Sequence, residues 1–131
     1  MTVQDWIGAY GKAWRDRDPE AAARLFTEDA VYRSSPFRHP HLGTEGVRAY
    51  WTKATRDQRN LDLRFGEPIV EPGGRRAAVE WWAIMDLADG TFGTLPGGLY
   101  LIFAPDGRCR ELREYWHWQE VRQTPPDGWG A

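Results

Sequence analysis

Apolar residues recur at helical spacing in three stretches of the first 55 residues. The first stretch predicts an amphipathic helix over residues 3–16, whose apolar face is formed by Val3, Trp6, Ile7, Tyr10 and Trp14. The second, "DPEAAARLF", predicts a helix with Asp18 as N-cap, Pro19 in the first position and Phe26 facing inward. The third, "TEGVRAYWTKA", predicts a helix that Thr44 caps, with four residues facing inward: Val47, Tyr50, Trp51 and Ala54.

After about residue 60 the pattern changes to short apolar and alternating runs separated by turns, which is typical of strands. Predicted strands cover 61–65, 75–87, 91–103 and 109–121, and "VY" at 31–32 predicts a further short strand. "ADG" (88–90) and "PDG" (105–107) predict the hairpin turns, and "PGG" (96–98) predicts a bulge or bend. Helices followed by an antiparallel meander indicate an α+β domain over 1–121, with an irregular tail at 122–131.

Composition narrows the class of protein. The formal net charge of −2 and the dispersed arginines give no basic stripe for nucleic acid. No apolar run approaches the roughly 20 residues that cross a bilayer, and the first residues do not resemble a secretion signal. A single cysteine fits a reducing cytoplasm. The eight tryptophans in 131 residues indicate an aromatic-lined cavity, an interface, or both.

The order of the predicted elements, together with "AYGKAWRDRDPEAAARLFTEDAVYR" (9–33), "GTEGVRAYW" (43–51) and "GGLYLIFAPDGRCRELREYW" (97–116), resembles the NTF2-like superfamily. This superfamily includes nuclear transport factor 2, ketosteroid isomerase, limonene epoxide hydrolase and the SnoaL-type polyketide cyclases. The resemblance implies a cone in which the helices cover a strongly curved antiparallel sheet. It implies a fold and not one function, because the same cone hosts isomerases, hydrolases, cyclases and dimerisation modules.

The stretch "REYWHW" (113–118) raises the question of which side chains share a face. Strand alternation places Leu112, Glu114, Trp116 and Trp118 together. By resemblance to the isomerase hairpin this even-numbered set points into the cone, and Leu99, Leu101 and Phe103 point inward on the preceding strand. Pairing back through "ADG" then places Glu80, Trp82 and Ile84 inward as well, with Glu80, Leu99 and Glu114 in one row.

Each chemistry of the resembled family needs its own residues. For ketosteroid isomerase the resemblance places the tyrosine at Tyr10, the base at Ser34 or Ser35, and the second donor at Leu99. A serine hydroxyl is no base for a C–H proton and a leucine donates nothing, so that reaction is rejected. For limonene epoxide hydrolase, "REYW" (113–116) resembles the run that carries one acid of its triad, but the partner positions near Glu80 and Trp82 contain no arginine.

The SnoaL-type cyclases use one acid on the last strand, and Glu114 fits that position. The alternative is a strand register that is off by one, which would leave Glu114 on the surface. His39 and His41 in "RHPH" are interrupted by Pro40 and have no third ligand, so we predict no metal site and no cofactor. Cys109 and His117 are predicted to face outward, His117 in the interface that the resemblance implies for a homodimer.

The sequence therefore predicts a protein that binds a small, mostly apolar molecule in an aromatic-lined pocket. If it catalyses a reaction of cyclase, isomerase or hydrolase type, the catalytic residues are Glu114, Tyr10 and Glu80. The predicted pocket residues are Trp14, Tyr50, Trp82, Leu99 and Trp116. The alternative is a non-catalytic homodimerisation or scaffolding domain whose cone is filled by its own aromatic side chains, and the volume of the cavity distinguishes the two.

Overall fold

The computed structural model describes residues 1–131 and contains three helices and seven strands. The helices are α1 (Val3–Arg15), α2 (Pro19–Ala23) and α3 (Gly43–Thr55). The strands are β1 (Phe26–Arg33), β2 (His41–Leu42), β3 (Gln58–Phe65), β4 (Ile69–Val70), β5 (Arg76–Leu87), β6 (Phe92–Phe103) and β7 (Cys109–Trp116). The predicted α+β order is confirmed. No helix is long and apolar enough to cross a membrane.

The strands form one open, curved sheet in the order β2-β1-β7-β6-β5-β3, with β4 paired to β5. The sheet is mixed rather than antiparallel as predicted, because β1 runs parallel to β7 and brings Tyr32 beside Leu112. The helices cover the concave face, where an aromatic-rich core of 23 buried residues lies. The parallel pair places the first and last strands side by side, and the candidate site lies at that junction.

The chain reaches these elements through local signals, some of which the sequence prediction misplaced. Thr2 caps α1 in a reciprocal capping box with Asp5, and Asp18 caps α2 as predicted. Helix α2 is shorter than predicted, because Phe26 already begins β1. Helix α3 begins at Gly43 without a side-chain cap, so the assignment of that role to Thr44 was wrong.

The turn between β5 and β6 contains three residues, 88–90. The predicted row that placed Glu80 beside Leu99 requires a turn of only two residues. Leu87 donates its backbone N–H to the carbonyl of Thr91, and residues 88–90 form the loop, with Gly90 at φ +91°. Val79 therefore pairs with Leu99, and Glu80 pairs with Gly98. Because side chains alternate along a strand, this one-residue change turns every side chain of β5 to the face opposite to the predicted one.

The segment Pro96–Gly98 does not form a bulge, which was one of the two predicted alternatives. Its pairing with β5 continues without a shift in register. Glycine is required at position 97 for a different reason: a Cβ atom there would lie 2.3 Å from the ring of Trp81. Trp81 lies across Gly97 on the concave face and is 1% exposed.

A bulge occurs instead between β6 and β7. Phe103 pairs with Cys109 and Ile102 with Glu111, so Arg110 is the extra residue. The bulge turns Cys109 inward, where it is fully buried in the core, and the prediction of an outward Cys109 was wrong. Beyond Arg110 the alternation follows the predicted parity, with Leu112 and Glu114 inside.

The last residues contact the convex face of the sheet. The indole N–H of Trp82 donates to the carbonyl of Gln123 at 2.7 Å, and the ring of Trp129 packs edge-on against Trp82. The backbone N–H of Glu67 donates to the carbonyl of Gly130. The segment after β7 thus has no regular helix or strand but covers part of the convex face.

Candidate acid–base and ligand-binding site

Glu114 lies on β7 and points into the core. The strand alternates, so Leu112 and Glu114 share the concave face while Tyr115, between Glu114 and Trp116, is 56% exposed. Glu114 is opposite Leu99 on β6, as predicted, and is itself 9% exposed. An acid among apolar side chains needs a partner, because an unpaired buried charge is strongly unfavourable.

The partner is a tyrosine pair. Tyr32 donates its hydroxyl hydrogen to Oε1 of Glu114 at 2.5 Å. The Tyr10 hydroxyl lies 3.0 Å from the Tyr32 hydroxyl, and it donates to that oxygen when Tyr32 donates to the carboxylate. The chain of hydrogen bonds therefore runs from α1 through β1 to β7, and each element holds one member of it.

Burial sets the proton affinity of the site. Loss of water around Glu114 raises the pKa of its carboxyl group to about 7, and the hydrogen bond from Tyr32 opposes part of that increase. Burial, together with the nearby Glu114, raises the pKa of both Tyr10 and Tyr32 well above the ordinary value, so both keep their hydrogens. Near neutral pH, Glu114 is therefore the group of this chain of three that exchanges a proton.

The second oxygen of Glu114 is free. No group of the chain donates to Oε2, and Glu114 borders a hollow of about 60 Å³ between the sheet and helices α1 and α3. The hollow is lined by Tyr10, Trp14, Tyr32, Tyr50, Trp51, Ala54, Thr55, Gln58, Leu95 and Glu114. A volume of this size holds about two water molecules, far below the roughly 300 Å³ of a typical small-ligand pocket.

Several of the predicted site residues meet at this hollow. Tyr10, Trp14, Tyr50 and Glu114 all line it. Leu99 is 3% exposed and faces the same side as Glu114, but it lies outside the lining of the hollow. The structure thus brings together the predicted acid Glu114, the predicted tyrosine Tyr10 and two of the predicted aromatic pocket residues.

Three predicted residues lie elsewhere. The predictions for Glu80 and Trp82 were wrong, because the longer turn before β6 places both on the convex face. Glu80 is exposed there, and Trp82 packs under the tail. Trp116 is 41% exposed and donates its indole N–H to the carbonyl of Ser34, so it covers the end of β1 and does not line the hollow.

The sequence prediction missed the residue closest to the acid, Tyr32. The strand "AVYR" was recognised, but the parallel pairing of β1 with β7 that places Tyr32 beside Glu114 leaves no local signal in the sequence. Gln58 was missed because it begins β3, earlier than predicted. Trp51 was predicted to be buried, and the spacing of Tyr50, Trp51 and Ala54 on α3 was the one signal for its place in the wall.

The two histidines of "RHPH" have different surroundings. The chain contains no group of three His, Cys, Asp or Glu side chains arranged to hold a metal ion. His41 stacks on Tyr50 with ring centroids 4.3 Å apart, and its Nε2 lies 3.1 Å from the Ser34 hydroxyl. Burial, with the nearby Arg38, lowers the pKa of His41. His41 thus supports the outer side of one wall of the hollow, and His39 is exposed.

Comparison with known families gives the same fold. The model of the SnoaL-like domain family matches residues 7–123. The chain belongs to the SnoaL-like domain family. That family lies within the NTF2-like superfamily, so the resemblance predicted from the sequence is confirmed. A search among curated proteins found no match.

Solved structures that resemble this SnoaL-like chain carry several activities. A candidate polyketide cyclase from Pseudomonas putida KT2440 is 22% identical, with a TM-score of 0.77 and coverage of 89% of this chain and 92% of that one. The epoxide hydrolase/cyclase-like enzyme SalBIII of pyran ring formation in salinomycin is 18% identical, with a TM-score of 0.76 and coverage of 87% and 89%. At these identities the likeness establishes the fold alone.

A third structure contains a ligand. RV0760c from Mycobacterium tuberculosis, in complex with estradiol-17β-hemisuccinate, is 17% identical, with a TM-score of 0.75 and coverage of 88% of this chain and 93% of that one. The neighbours thus include enzymes and a ligand-bound protein.

Proposed function

We propose that this SnoaL-like protein binds a small, mostly apolar molecule through one polar group at Glu114, and that Glu114 exchanges a proton with that group. The observation that carries the proposal is a buried carboxyl group, with a pKa near 7, that lines an aromatic hollow and whose Oε2 accepts no hydrogen bond from the chain. A core that served only for packing would gain stability from an apolar residue at this position. The cost of burying Glu114 therefore indicates a use for it.

The roles follow from the hydrogen bonds. In its ionised form Glu114 accepts a proton from the bound group through Oε2, while Tyr32 continues to donate to Oε1. In its neutral form it returns that proton. Tyr32 is a positioning residue for Glu114, and Tyr10 acts through Tyr32. Cyclisation, isomerisation and hydrolysis each need such a proton transfer, and neighbours of cyclase and epoxide hydrolase type support this range of reactions.

The proposal can be tested with neutral apolar probes that carry one polar group. A thermal-shift screen with terpenoid, steroid and polyketide-like ketones and alcohols should find compounds that raise the melting temperature. A ketone accepts a hydrogen bond only from neutral Glu114, so its affinity should fall as the pH rises through 7. The Glu114→Gln variant keeps the donor, and it should retain affinity and lose this pH dependence. Affinity that is independent of pH in the unmodified protein would refute the role of Glu114.

The second candidate function is a non-catalytic homodimerisation or scaffolding domain, and the small hollow favours it. The hollow of about 60 Å³ and the aromatic-rich core around it support this candidate. The surface for pairing would be the convex face around Arg113, exposed Tyr115 and exposed His117. Sedimentation of the unmodified protein and of a Tyr115→Glu variant tests it: a dimer that dissociates in the variant supports this surface. For both candidate functions we propose a cytoplasmic location, in keeping with the single, buried cysteine.

A further inference from the structure

A second, larger cavity lies directly outside the hollow. It has a volume of about 260 Å³ and shares two of its walls, Trp14 and Gln58, with the hollow at Glu114. The indole N–H of Trp14 donates to Oε1 of Gln58 at 2.7 Å, and the Gln58 amide nitrogen donates to the carbonyl of Ala54 at 3.2 Å. Trp14 and Gln58, which are joined by this hydrogen bond, therefore border both spaces.

Three arginines line this outer cavity, which we term the arginine basin: Arg15, Arg17 and Arg59, together with Trp14, Gln58, Asn60 and Leu61. Each guanidinium is held by backbone carbonyls and not by an acid. Arg15 donates to Leu63 at 2.7 Å, Arg17 to Gln58 at 3.3 Å, and Arg59 to Arg56 and Gln58. Because a guanidinium carries five N–H donors, most donors of the three side chains stay free.

The acids around the arginine basin are bound elsewhere. Asp16 pairs with Lys12, Asp57 with Arg56 and Asp62 with Arg64. Asp86 accepts from Asn60 and Arg122, and Asp18 caps α2. No carboxylate lines the basin itself. The three arginines that line this cavity therefore form no salt bridge with the acids around it.

The backbone at the rim is held in an unusual conformation. Arg17 (φ +50°) and Asn60 (φ +53°) are the two non-glycine residues of the chain with a positive φ, and both line the arginine basin. Asparagine adopts this region readily, but arginine does not. For Arg17 this conformation ends helix α1 in a Schellman motif, because the backbone N–H groups of Arg17 and Asp18 donate to the carbonyls of Trp14 and Ala13. Here the left-handed conformation of Arg17 accompanies the hydrogen bond of its guanidinium across to β3.

We propose that the arginine basin binds an anionic group, a carboxylate or a phosphate, at one end of a ligand whose apolar body passes between Trp14 and Gln58 to Glu114. Guanidinium groups bind both anions through charge-assisted hydrogen bonds. The hollow alone is too small for such a body, whereas both spaces together reach the lower end of the range of small-ligand pockets, about 300 Å³. That the apolar body of the ligand reaches Glu114 rests on the proposed function. That the basin binds an anion rests on the arginines alone.

Three probes with the same apolar body separate the possibilities: cyclohexylacetate, cyclohexylmethyl phosphate and the neutral cyclohexylacetamide. Affinities are measured by NMR titration, following the indole N–H of Trp14 and the carboxyl carbon of Glu114. We expect at least one anion to bind about fivefold more tightly than the amide, a preference that decreases at high salt. The anion that binds more tightly identifies the carboxylate or the phosphate as the natural group.

The variants assign that preference to its residues. Arg17→Gln with Arg59→Gln leaves Arg15 as the single arginine of the basin and should reduce the preference for the anions. Arg33→Gln with Arg110→Gln removes the same charge from exposed arginines outside the basin and should preserve the preference. Circular dichroism checks that both double variants are folded. Equal affinity for amide and anions in the unmodified protein, or an equal loss in both double variants, would overturn the basin as an anion site.

The two signals distinguish this inference from the proposed function. If the anions shift Trp14 and Glu114 together, the two cavities act as one site, as proposed. If the amide shifts Glu114 while the basin variant binds anions like the unmodified protein, the inference fails and the proposed function remains. If the anion preference depends on Arg17 and Arg59 but no probe shifts Glu114, the connection and the proposed function both fail.

Discussion

Glu114 on β7 and Glu80 on β5 have the same side chain in the same sheet, and their surroundings differ completely. Glu114 faces the concave side, where burial raises its pKa to about 7 and a tyrosine donates to it. Glu80 faces the convex side and is exposed to water. The face of the sheet on which each glutamate lies, and not the residue type, therefore separates an acid–base candidate from an ordinary surface charge.

The same contrast between faces exists at neighbouring glycines, where we expect the largest effect. Gly97→Ala would place a Cβ atom 2.3 Å from the buried ring of Trp81, whereas Gly98→Ala would meet no atom closer than 4.0 Å. We expect Gly97→Ala to lower the free energy of unfolding by about 3 kcal/mol or more, at the upper end for overpacked cores. Urea denaturation measures it, with Gly98→Ala as the matched control. Equal losses in both variants would contradict the assignment of faces.

The next effect concerns the dependence of stability on pH. The pKa of Glu114 is higher in the folded state than in the unfolded chain, where it is near 4.5, so the folded state binds more protons between pH 4.5 and 7. The contribution of Glu114 is therefore full below pH 4.5 and is lost as the pH rises to 7, by roughly 3 kcal/mol. Unfolding measured at several pH values should show this loss relative to Glu114→Gln.

Glu80→Gln is the control for that experiment. Its side chain is exposed, so the variant should match the unmodified protein at pH 7 to within about 0.5 kcal/mol. A curve of stability against pH that is the same for Glu114→Gln and the unmodified protein would show that Glu114 does not titrate as a buried acid.

A smaller effect should follow the loss of the tyrosine donor. Tyr32→Phe removes the hydrogen bond that stabilises the ionised form of Glu114, so the pKa of Glu114 should rise further. At pH 8, where the ionised carboxylate would lose its partner, we expect a loss of about 1 to 2 kcal/mol in unfolding free energy. Urea denaturation at pH 8 and at pH 5 measures it. The Tyr10 hydroxyl loses its partner at both pH values, so the excess loss at pH 8 is the part due to the carboxylate, and no excess would contradict the role of Tyr32.

Sequence reasoning predicted one of the two glutamates correctly, and the reason is physical. Alternation along "ELREYW" set the faces of β7 because the bulge at Arg110 lies before that run. On β5 the alternation was equally clear. Which of its side chains face the concave side, however, depended on whether the turn to β6 has two residues or three. Both "WW" neighbours, Trp81 and Trp82, are apolar, so the hydrophobic pattern could not correct the error.

The site was partly accessible from the sequence for the same reason. Tyr10, Trp14 and Tyr50 were identified because helical spacing sets which residues face inward. Tyr32 and Gln58 reach the site through the pairing of strands distant in the chain, which no local pattern encodes. The arginine basin depends on which partners the arginines have in space, and the run "RDRD" (15–18) does not specify those partners.

The most direct test of the account is a measurement of the pKa of Glu114 by NMR titration of its carboxyl carbon, with Glu114→Gln used to assign the signal. We expect a midpoint near pH 7 for Glu114 in the folded protein. A midpoint near 4.5, the ordinary value for a glutamate in water, would contradict a buried proton-exchanging acid and the function built on it.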